Sequence, residues 1–359
     1  MARVAPSKAL TLVSNGMLFK RGQPAIIENE GVYHNLIHSG KLIDLDKQWE
    51  SISPPKTLPK LKPGTLVTVA REMGLGDVLM VLVVIRALKQ CYPHLNFRFA
   101  TGRNYVKLLE GLPFLESVQP LMDLNGVHSN TVELRGLSER HPKRMVMDRI
   151  DIFALYCGVT PTDYTLPIPD TTDAERIRAR ELLGSGSTIT VAVRGSTPLR
   201  SWMRPNVEGF ALLAANSGWT VAVLDNDRQE FPAHPRIKNL TGELSLIEVK
   251  SVLAESEFCV SPDTGILHLS EAVGTKCLSI FTVIPPELRI THYKHIKAFA
   301  RKDLPCFACF HRGCAPMPCS AGISPEMVLE GIESWDELPQ ISNPFVKDHS
   351  DARIPQIVQ

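Results

Sequence analysis

The sequence predicts an α/β protein with two doubly wound domains, and three observations lead to this prediction. Short β-branched runs alternate with longer helical stretches from Thr65 onward, which is typical of parallel sheets covered by helices. The alternation occurs twice, on either side of a Pro-containing connector at residues 161–170. The chain has 359 residues, more than one average domain, and its 44% hydrophobic content allows a sizeable core.

Charge and hydropathy exclude several classes of protein. Lys and Arg number 39 against 38 Asp and Glu, so the net charge of +1 creates no field that would attract a polyanion without sequence preference. The most apolar run, residues 78–85, is far shorter than the roughly 20 residues that span a bilayer. The first residues, Met-Ala-Arg-Val-Ala-Pro, do not resemble a signal peptide. We therefore expect a cytoplasmic protein with reduced cysteines.

The elements divide the chain into four segments. Residues 1–58 contain short alternating stretches and an Asn15-Gly16 turn, which predict a small β-rich module that ends in a Pro-rich linker. Residues 59–165 and 166–337 are the two predicted doubly wound domains, and residues 338–359 form a tail. The main predicted strands are 65–70, 95–100, 117–121, 189–193, 219–224, 257–261 and 277–281, and the main helices are 78–91, 104–112, 144–156, 173–183, 205–215, 246–255, 266–273 and 325–335.

Local signals support several helix starts. Ser245 followed by Glu248 predicts a capping box, in which each residue bonds the backbone of the other. Pro205 and Pro325 suit the first turn of a helix, where a missing N–H costs nothing.

The motif Gly74-Leu75-Gly76-Asp77 lies between a predicted strand and an apolar helix. Glycines here allow a ligand to approach the backbone, and a helix N-terminus favours an anion. A dinucleotide fingerprint is only weakly supported, because Leu79 occupies the place of its third glycine. Asp77 could act as a general base in a cleft between the domains. The alternative is that Asp77 caps the helix that follows.

Two further strand-end motifs suit phosphate. In Ser261-Pro262-Asp263-Thr264-Gly265-Ile266-Leu267-His268, Asp263 or Thr264 could cap a helix, the Thr264 and Gly265 amides could bind phosphate, and His268 lies one turn inside the helix. A capped core helix with one histidine fits the same residues. The loop from Arg194 to Trp202 carries Arg194 and Arg200 among small hydroxyl residues, which suits a diphosphate or a solvated loop.

Taken together, these motifs resemble glycosyltransferase family 9, which contains the ADP-heptose:lipopolysaccharide heptosyltransferases. The resemblance rests on Gly-x-Gly-Asp before an apolar helix, a basic residue two before Trp202-x-x-Pro205, Leu240-Thr-Gly-Glu, and Ser-Pro-Asp-Thr-Gly-x-x-His268 before Gly274-Thr275. It covers about residues 65–335. It implies a GT-B architecture, with two facing Rossmann-like domains: residues 59–165 bind the acceptor and residues 166–337 bind the nucleotide-sugar donor.

The resemblance also implies roles for individual residues. Asp77 matches the proposed catalytic base, with Gly74 and Gly76 in the acceptor loop, and Arg200 stands where a donor-phosphate lysine is usual. Asp225 or Asp227 could take the role of an acidic residue that binds ribose. The residues that match the donor-binding turn and helix are Asp263, Thr264, Gly265 and His268, and Arg194 is a further donor candidate.

Four cysteines, Cys306, Cys309, Cys314 and Cys319, lie within fourteen positions. The Cys-x-x-Cys start and the intervening Gly and Pro residues predict a closed four-thiolate site for one structural metal ion, with zinc as the default and iron as the alternative. Paired disulfides are the less favoured interpretation in a reducing compartment. Such a site has no open position for catalysis, and similar clusters occur in some members of the family.

Two basic stretches remain, one containing Arg135, Arg140 and Arg149 and the other containing Arg289 and His292. We interpret such stretches mainly as solvated faces, with a funnel for an acidic acceptor as the alternative.

The predicted function is inverting transfer of a sugar, heptose from an ADP-activated donor, onto a hydroxyl acceptor, with no catalytic metal. Partners are the nucleotide sugar and a glycan acceptor. The alternatives are transfer to a protein or a modified nucleic acid, for which the N-terminal module could dock the macromolecule, and a catalytically silent GT-B binding protein. A homo-oligomer is left open by the sequence.

Overall fold

A computed structural model describes residues 2–6, 11–14, 17–20, 25–27, 42–44, 58–124, 130–309, 314 and 317–340. The predicted Pro-rich linker before Leu58 and the predicted tail after residue 340 lie outside the described residues.

The first segment contains five short strands. Strand β1 (Ala2–Pro6) pairs antiparallel with β4 (Ala25–Ile27) and with β5 (Leu42–Asp44). Strands β2 (Thr11–Ser14) and β3 (Met17–Lys20) pair antiparallel as a hairpin. These strands agree with the β-rich character predicted for this segment.

The second segment contains a four-stranded parallel sheet in the order β8-β7-β6-β9. Its strands are β6 (Leu66–Ala70), β7 (Asn96–Thr101), β8 (Ser117–Pro120) and β9 (Thr131–Glu133). The helices of this segment are α1 (Leu75–Cys91), α2 (Val106–Leu109), α3 (Leu137–Arg140) and α4 (Arg149–Cys157). Counted from its own first strand, the order is 3-2-1-4, as in one half of a Rossmann fold.

The third segment contains a six-stranded parallel sheet in the order β12-β11-β10-β13-β14-β15, which is the Rossmann order 3-2-1-4-5-6. Its strands are β10 (Thr188–Ala192), β11 (Thr220–Leu224), β12 (Ile237–Asn239), β13 (Phe258–Pro262), β14 (Lys276–Phe281) and β15 (Ile296–Ala300). Its helices are α5 (Asp173–Leu183), α6 (Arg204–Asn216), α7 (Leu246–Ala254), α8 (Gly265–Val273), α9 (Pro318–Ala321) and α10 (Pro325–Glu333).

The sequences of the central strands explain their parallel pairing. Every residue of β10 and β11 is buried, and both are rich in Val, Ile, Ala and Thr, as expected for strands covered on both faces. In such sheets, ligands bind beyond the carboxyl ends of the strands, where the strand order reverses. In this chain those points lie between β6 and β9 and between β10 and β13.

Helix starts follow local chemistry. Ser245 and Glu248 form the predicted capping box at α7, and Thr172 and Glu175 form a second one at α5. Helix α4 begins at Arg149, later than predicted, because the Asp148 side chain accepts the Ile150 N–H and caps it there. Among the described residues, every helix is too short or too polar to cross a bilayer.

Candidate functional site

The turns before α1 and α8 meet at the carboxyl ends of the two sheets. A methyl group on Gly76 would lie 2.2 Å from Cδ2 of His268, and one on Gly265 would lie 2.9 Å from Cβ of Leu75. Both positions therefore require glycine for close approach. The structure thus brings together two motifs that lie almost 200 positions apart in the sequence.

Asp77 lies at this junction, only 6% exposed, in the first turn of α1. Arg71 donates from Nη2 to Oδ2 over 2.7 Å, and Nη1 of Arg149 is 2.5 and 2.6 Å from the two carboxylate oxygens. The helix begins at Leu75 with Gly74 as its N-cap, and no side chain caps it. The capping interpretation of Asp77 is therefore wrong, because its oxygens bind guanidinium groups.

The two arginines differ in their partners. Arg71 also binds Glu139 through two bonds of 2.8 and 3.2 Å, and this pairing lowers the pKa of Glu139 to about 2 although its partial burial acts in the opposite direction. Burial lowers the pKa of Arg149, but the charge of Asp77 and its hydrogen bond outweigh this effect and leave the pKa raised. Both guanidinium groups are therefore charged, and the Asp77 side chain is held between them.

On the opposing turn, Asp263 holds Arg200. The Arg200 guanidinium donates to Oδ2 of Asp263 over 3.1 Å and to its backbone carbonyl over 2.6 Å, and Nη1 donates to Ser196. Burial raises the pKa of Asp263, but the charges of Arg200 and Arg289 outweigh it and the pKa is lowered. The side chain of Arg200 remains one-quarter exposed, so it can bind a ligand while Asp263 fixes it.

The start of α8 has the properties predicted for an anion site, although neither predicted cap forms. Thr264 occupies the N-cap position in an extended conformation, without a side-chain cap bond. Asp263 is engaged by Arg200 instead. The first N–H groups of a helix have no partner within it, and they carry partial positive charge.

Arg289 is the main site residue that sequence reasoning missed. It is 6% exposed, its Nη1 donates to the Leu288 carbonyl, and its buried Nε has no hydrogen-bond partner among the described residues. Burial lowers its pKa to about 10, and the nearby charge of Arg149 adds to this effect. The interpretation of its basic stretch as a solvated face is wrong for Arg289, because this side chain is buried. The sequence gives no signal that distinguishes a buried arginine in such a stretch.

His268 is buried beneath this cluster. Its Nδ1 lies 2.6 Å from the Tyr293 hydroxyl. Burial lowers the pKa of His268 to about 4, although the charges of Asp263 and Asp77 act in the opposite direction. The ring is therefore neutral at pH 7 and packs against Gly76 without adding positive charge.

The remaining predicted donor residues form a separate ion-pair group. Arg194 binds both oxygens of Asp225 over 2.6 and 2.7 Å and reaches Asp227 over 2.5 Å. These two carboxylates raise the pKa of Arg194. Asp225 is almost completely buried by this pairing, at 2% side-chain exposure, whereas Asp227 is 64% exposed.

The four cysteines are neighbours in space. Burial raises the pKa of Cys319, and the thiols of Cys309, Cys306 and Cys314 raise it further. Within the described part of the chain, no three cysteine sulfurs lie within 4.8 Å of one another, and all four thiols are free. Two residues beside them, Ala308 and Met317, have positive φ angles of 59° and 36°, which non-glycine residues rarely adopt.

Comparisons with known proteins agree with this architecture. The family model described as "Glycosyltransferase family 9 (heptosyltransferase)" matches residues 141–319. None of the curated proteins compared with the sequence matches it.

Three solved structures illustrate the similarity. A glycosyltransferase family 9 protein from Veillonella parvula has a TM-score of 0.60 at 13% identity, over 76% of this chain and 98% of its own. ADP-heptose lipopolysaccharide heptosyltransferase II from Escherichia coli has a TM-score of 0.54 at 14% identity, and the match covers 75% of this chain and 98% of its own. The third structure is the dodecameric iron-containing heptosyltransferase TibC from enterotoxigenic E. coli, solved with ADP-D-β-D-heptose. It has a TM-score of 0.58 at 15% identity, and the match covers 77% of each chain.

Two Rossmann-like domains with facing strand-end turns define a GT-B fold, which the solved heptosyltransferases share. The family match is more specific, because residues 141–319 are similar to glycosyltransferase family 9 (heptosyltransferase).

Proposed function

We propose that this enzyme transfers a sugar, heptose from an ADP-activated donor, onto an acceptor hydroxyl with inversion at the anomeric carbon. The observation that carries the proposal is the meeting of two turns, one presenting Asp77 and the other presenting the start of α8 with Arg200 and Arg289 beside it. A carboxylate then faces an anion-binding surface across one crevice.

The diphosphate of the donor would bind at the start of α8. The amides of Thr264 and Gly265, together with Arg200, would neutralise the charge that develops on the leaving diphosphate. Arg289 would add a second guanidinium, because its buried Nε has no other partner in the described residues and the charge of Arg149 repels it. Bound phosphate would relieve both costs.

Asp77 would act as the general base. The acceptor oxygen forms a bond to the anomeric carbon while the bond to the diphosphate breaks, and the hydroxyl proton passes to Asp77. Both oxygens of Asp77 are engaged without a ligand, so one guanidinium must move first. Arg149 is the candidate, because its side chain is 20% exposed against 6% for Arg71, and Arg71 is also fixed by Glu139.

The nucleoside would lie beside Arg194. Asp225 is saturated by Arg194, and it would therefore act by holding that arginine, whereas the exposed Asp227 is the better acceptor for a ribose hydroxyl. The complex of TibC with ADP-D-β-D-heptose supports adenosine diphosphate and heptose as the first donor to test.

A donor screen tests the proposal directly. Purified protein is mixed with ADP-, GDP-, UDP- and TDP-sugars, and thermal shift and nucleotide release are measured. We expect ADP-heptose to raise the melting temperature most. If none of the four classes changes the melting temperature or releases nucleoside diphosphate, the proposed function is wrong.

The role of Asp77 is tested by Asp77→Asn, which should lower transfer by about 100-fold or more and leave donor affinity within about threefold. Asp123→Asn is the matched control, because Asp123 pairs with Arg103 at the surface and should keep full transfer. Near-normal turnover of Asp77→Asn would exclude Asp77 as the base.

We also propose that Cys306, Cys309, Cys314 and Cys319 hold one structural metal ion. The thiols are close enough to influence one another, and the turn at Ala308 between the first two cysteines has the positive φ that bends a chain around an ion. The iron content of TibC supports iron beside zinc. The ion would stabilise the loop beside the donor domain and would supply no catalytic chemistry.

Elemental analysis of freshly purified protein, with Cys309→Ser as the variant and Cys91→Ser as the control, decides this proposal. We expect the zinc or iron content of Cys309→Ser to fall by about one ion per chain relative to wild type, together with several degrees of thermal stability, and that of Cys91→Ser to stay unchanged. Freshly purified protein that contains no metal, and in which the thiols of these four cysteines all titrate as free, would contradict it.

A further inference from the structure

Asp148, Asp151 and His292 form a buried cluster that the proposed transfer reaction does not use. One ligand atom from each side chain lies within 4.8 Å of the other two. Asp148 and Asp151 belong to the start of α4, and His292 lies between β14 and β15, so the cluster joins the two Rossmann-like halves of the chain.

Asp148 lacks a partner for one of its oxygens. Its side chain is 0% exposed, and Oδ1 accepts the Ile150 N–H over 2.8 Å. Oδ2 is sealed from solvent and has no hydrogen-bond partner among the described residues. Leaving a buried acceptor unsatisfied is costly, and more so for a charged group, so this oxygen requires a proton or a cation.

The other two groups are already aligned towards one another. Nε2 of His292 lies 2.9 and 3.0 Å from the two oxygens of Asp151. The ring of Tyr164 stacks on the His292 ring at 3.8 Å between centroids, which fixes the imidazole plane. The ligand atoms therefore converge beside an aromatic ring.

We propose that Asp148, Asp151 and His292 bind a divalent cation. Two carboxylates and one imidazole form a ligand set that suits Zn²⁺, Mn²⁺ or Fe²⁺. Metal–ligand distances of about 2.1 Å place neighbouring ligand atoms about 3.0–3.4 Å apart, so a small closure of the side chains completes the first three positions. The cation displaces the proton between His292 and Asp151 and satisfies Oδ2 of Asp148.

The bound ion would order residues on both sides of the crevice. Arg149, which binds Asp77, lies between the two aspartates in sequence, and Tyr293, which bonds His268, follows the histidine. A cation at the cluster therefore positions an arginine and a tyrosine that face the opposing turns. It does not contact the reacting atoms.

Mn²⁺ is the probe that separates this site from the cysteine cluster, because it prefers oxygen and nitrogen ligands to thiolates. The intact chain, stripped of metal, is titrated with MnCl₂, and free Mn²⁺ is followed by its electron paramagnetic resonance signal. We expect saturable binding of one Mn²⁺ per chain with Kd below about 1 mM. Wild-type protein that binds no Mn²⁺ in this range overturns the proposal, and the cluster is then held by protons.

Asp148→Asn tests the ligand whose buried Oδ2 lacks a hydrogen-bond partner among the described residues. Asparagine keeps the N-cap acceptor for α4, so the variant should fold while losing an anionic ligand. We expect Mn²⁺ affinity to fall at least tenfold, and Asp336→Asn at an exposed position should bind as the wild type does. If Asp148→Asn does not fold, His292→Gln serves as the second variant. Unchanged affinity in a folded ligand variant overturns the assignment.

Discussion

The two turns that meet across the crevice use their carboxylates in opposite ways. At the start of α1, Asp77 is the group that is held, with the Arg71 guanidinium from the residue after β6 and the Arg149 guanidinium from α4 on its oxygens. At the start of α8, Asp263 does the holding, since its carboxylate and its backbone carbonyl fix Arg200. One turn therefore prepares a base, and the other prepares a cation for an anionic leaving group.

The comparison also separates the glycines. Gly76 makes room for the ring of the opposing His268, whereas Gly265 makes room for the opposing Leu75. Each turn is thus shaped by a side chain from the other half of the chain. Changes at these contacts should affect both functions at once, while changes at a single charged group should affect only one.

Gly76→Ala should have the largest effect. Its Cβ would overlap the His268 ring, so the two turns must separate, and a displacement of about 1 Å can lower transfer roughly 100-fold. Steady-state transfer is measured beside thermal stability. Gly186→Ala is the control: its φ of 109° strains any side chain, but nothing lies within 4 Å, so stability should fall and transfer by the folded enzyme should not. Equal transfer by Gly76→Ala and wild type would contradict this account.

Arg200→Ala should act on the donor turn alone. We expect donor affinity to fall about tenfold and transfer to slow, because a charge-assisted contact to the diphosphate is lost. Arg194→Ala is the comparison, and its smaller effect should fall on nucleoside binding. Calorimetry measures the affinity of each variant for ADP and for the ADP-sugar, and it thereby separates the effect of Arg200→Ala from that of Arg194→Ala. If Arg200→Ala leaves affinity and rate unchanged, Arg194 becomes the better diphosphate ligand.

The pH dependence of stability should report the titration of His268. Its pKa is lowered from 6.5 to about 4 on folding, so the unfolded chain takes up the proton first. Stability from this group is present above pH 6.5 and is lost as the pH falls towards 4, by about 2 kcal/mol between pH 7 and pH 5. Denaturant unfolding of His268→Gln should lack this part of the slope, and His94→Gln, at an exposed position, should retain it.

Much of the architecture could be predicted because it depends on local pattern. Buried apolar runs at β10 and β11 and the capping box at Ser245 are written in neighbouring residues. Three strands of the parallel sheets were missed. β9 and β12 have only three residues each, and β15 lies in a basic stretch. Short strands gain their pairing from the sheet more than from their own residues.

The chemistry of the site was predictable only in part. Motif order indicated the two turns, but the partners of Asp77 could not be predicted, because Arg149 is 72 positions away and a basic run gives no sign of burial. The same limit applies to Arg289, whose environment is created by Arg149 and Asp263 from other elements. Residue type suggests what a side chain can do, whereas tertiary packing decides which group it meets.

Helix α1 shows how a charged residue can set the orientation of an apolar element. Twelve of its 17 residues are buried, on all sides, so the helix has no wide polar face that would determine its rotation about its own axis. Two charged side chains supply that information. Asp77 is bound at one end by Arg71 and Arg149, and Arg86 donates near the other end to the carbonyls of Asp163 and Thr165.

The angular setting of α1 therefore depends on its ends, and its apolar middle tolerates exchange among residues of similar volume. The ion pairs that hold the proposed base therefore also fix the rotation of the helix that carries it. A repacked α1 core should keep activity for as long as Asp77 and Arg86 keep their partners.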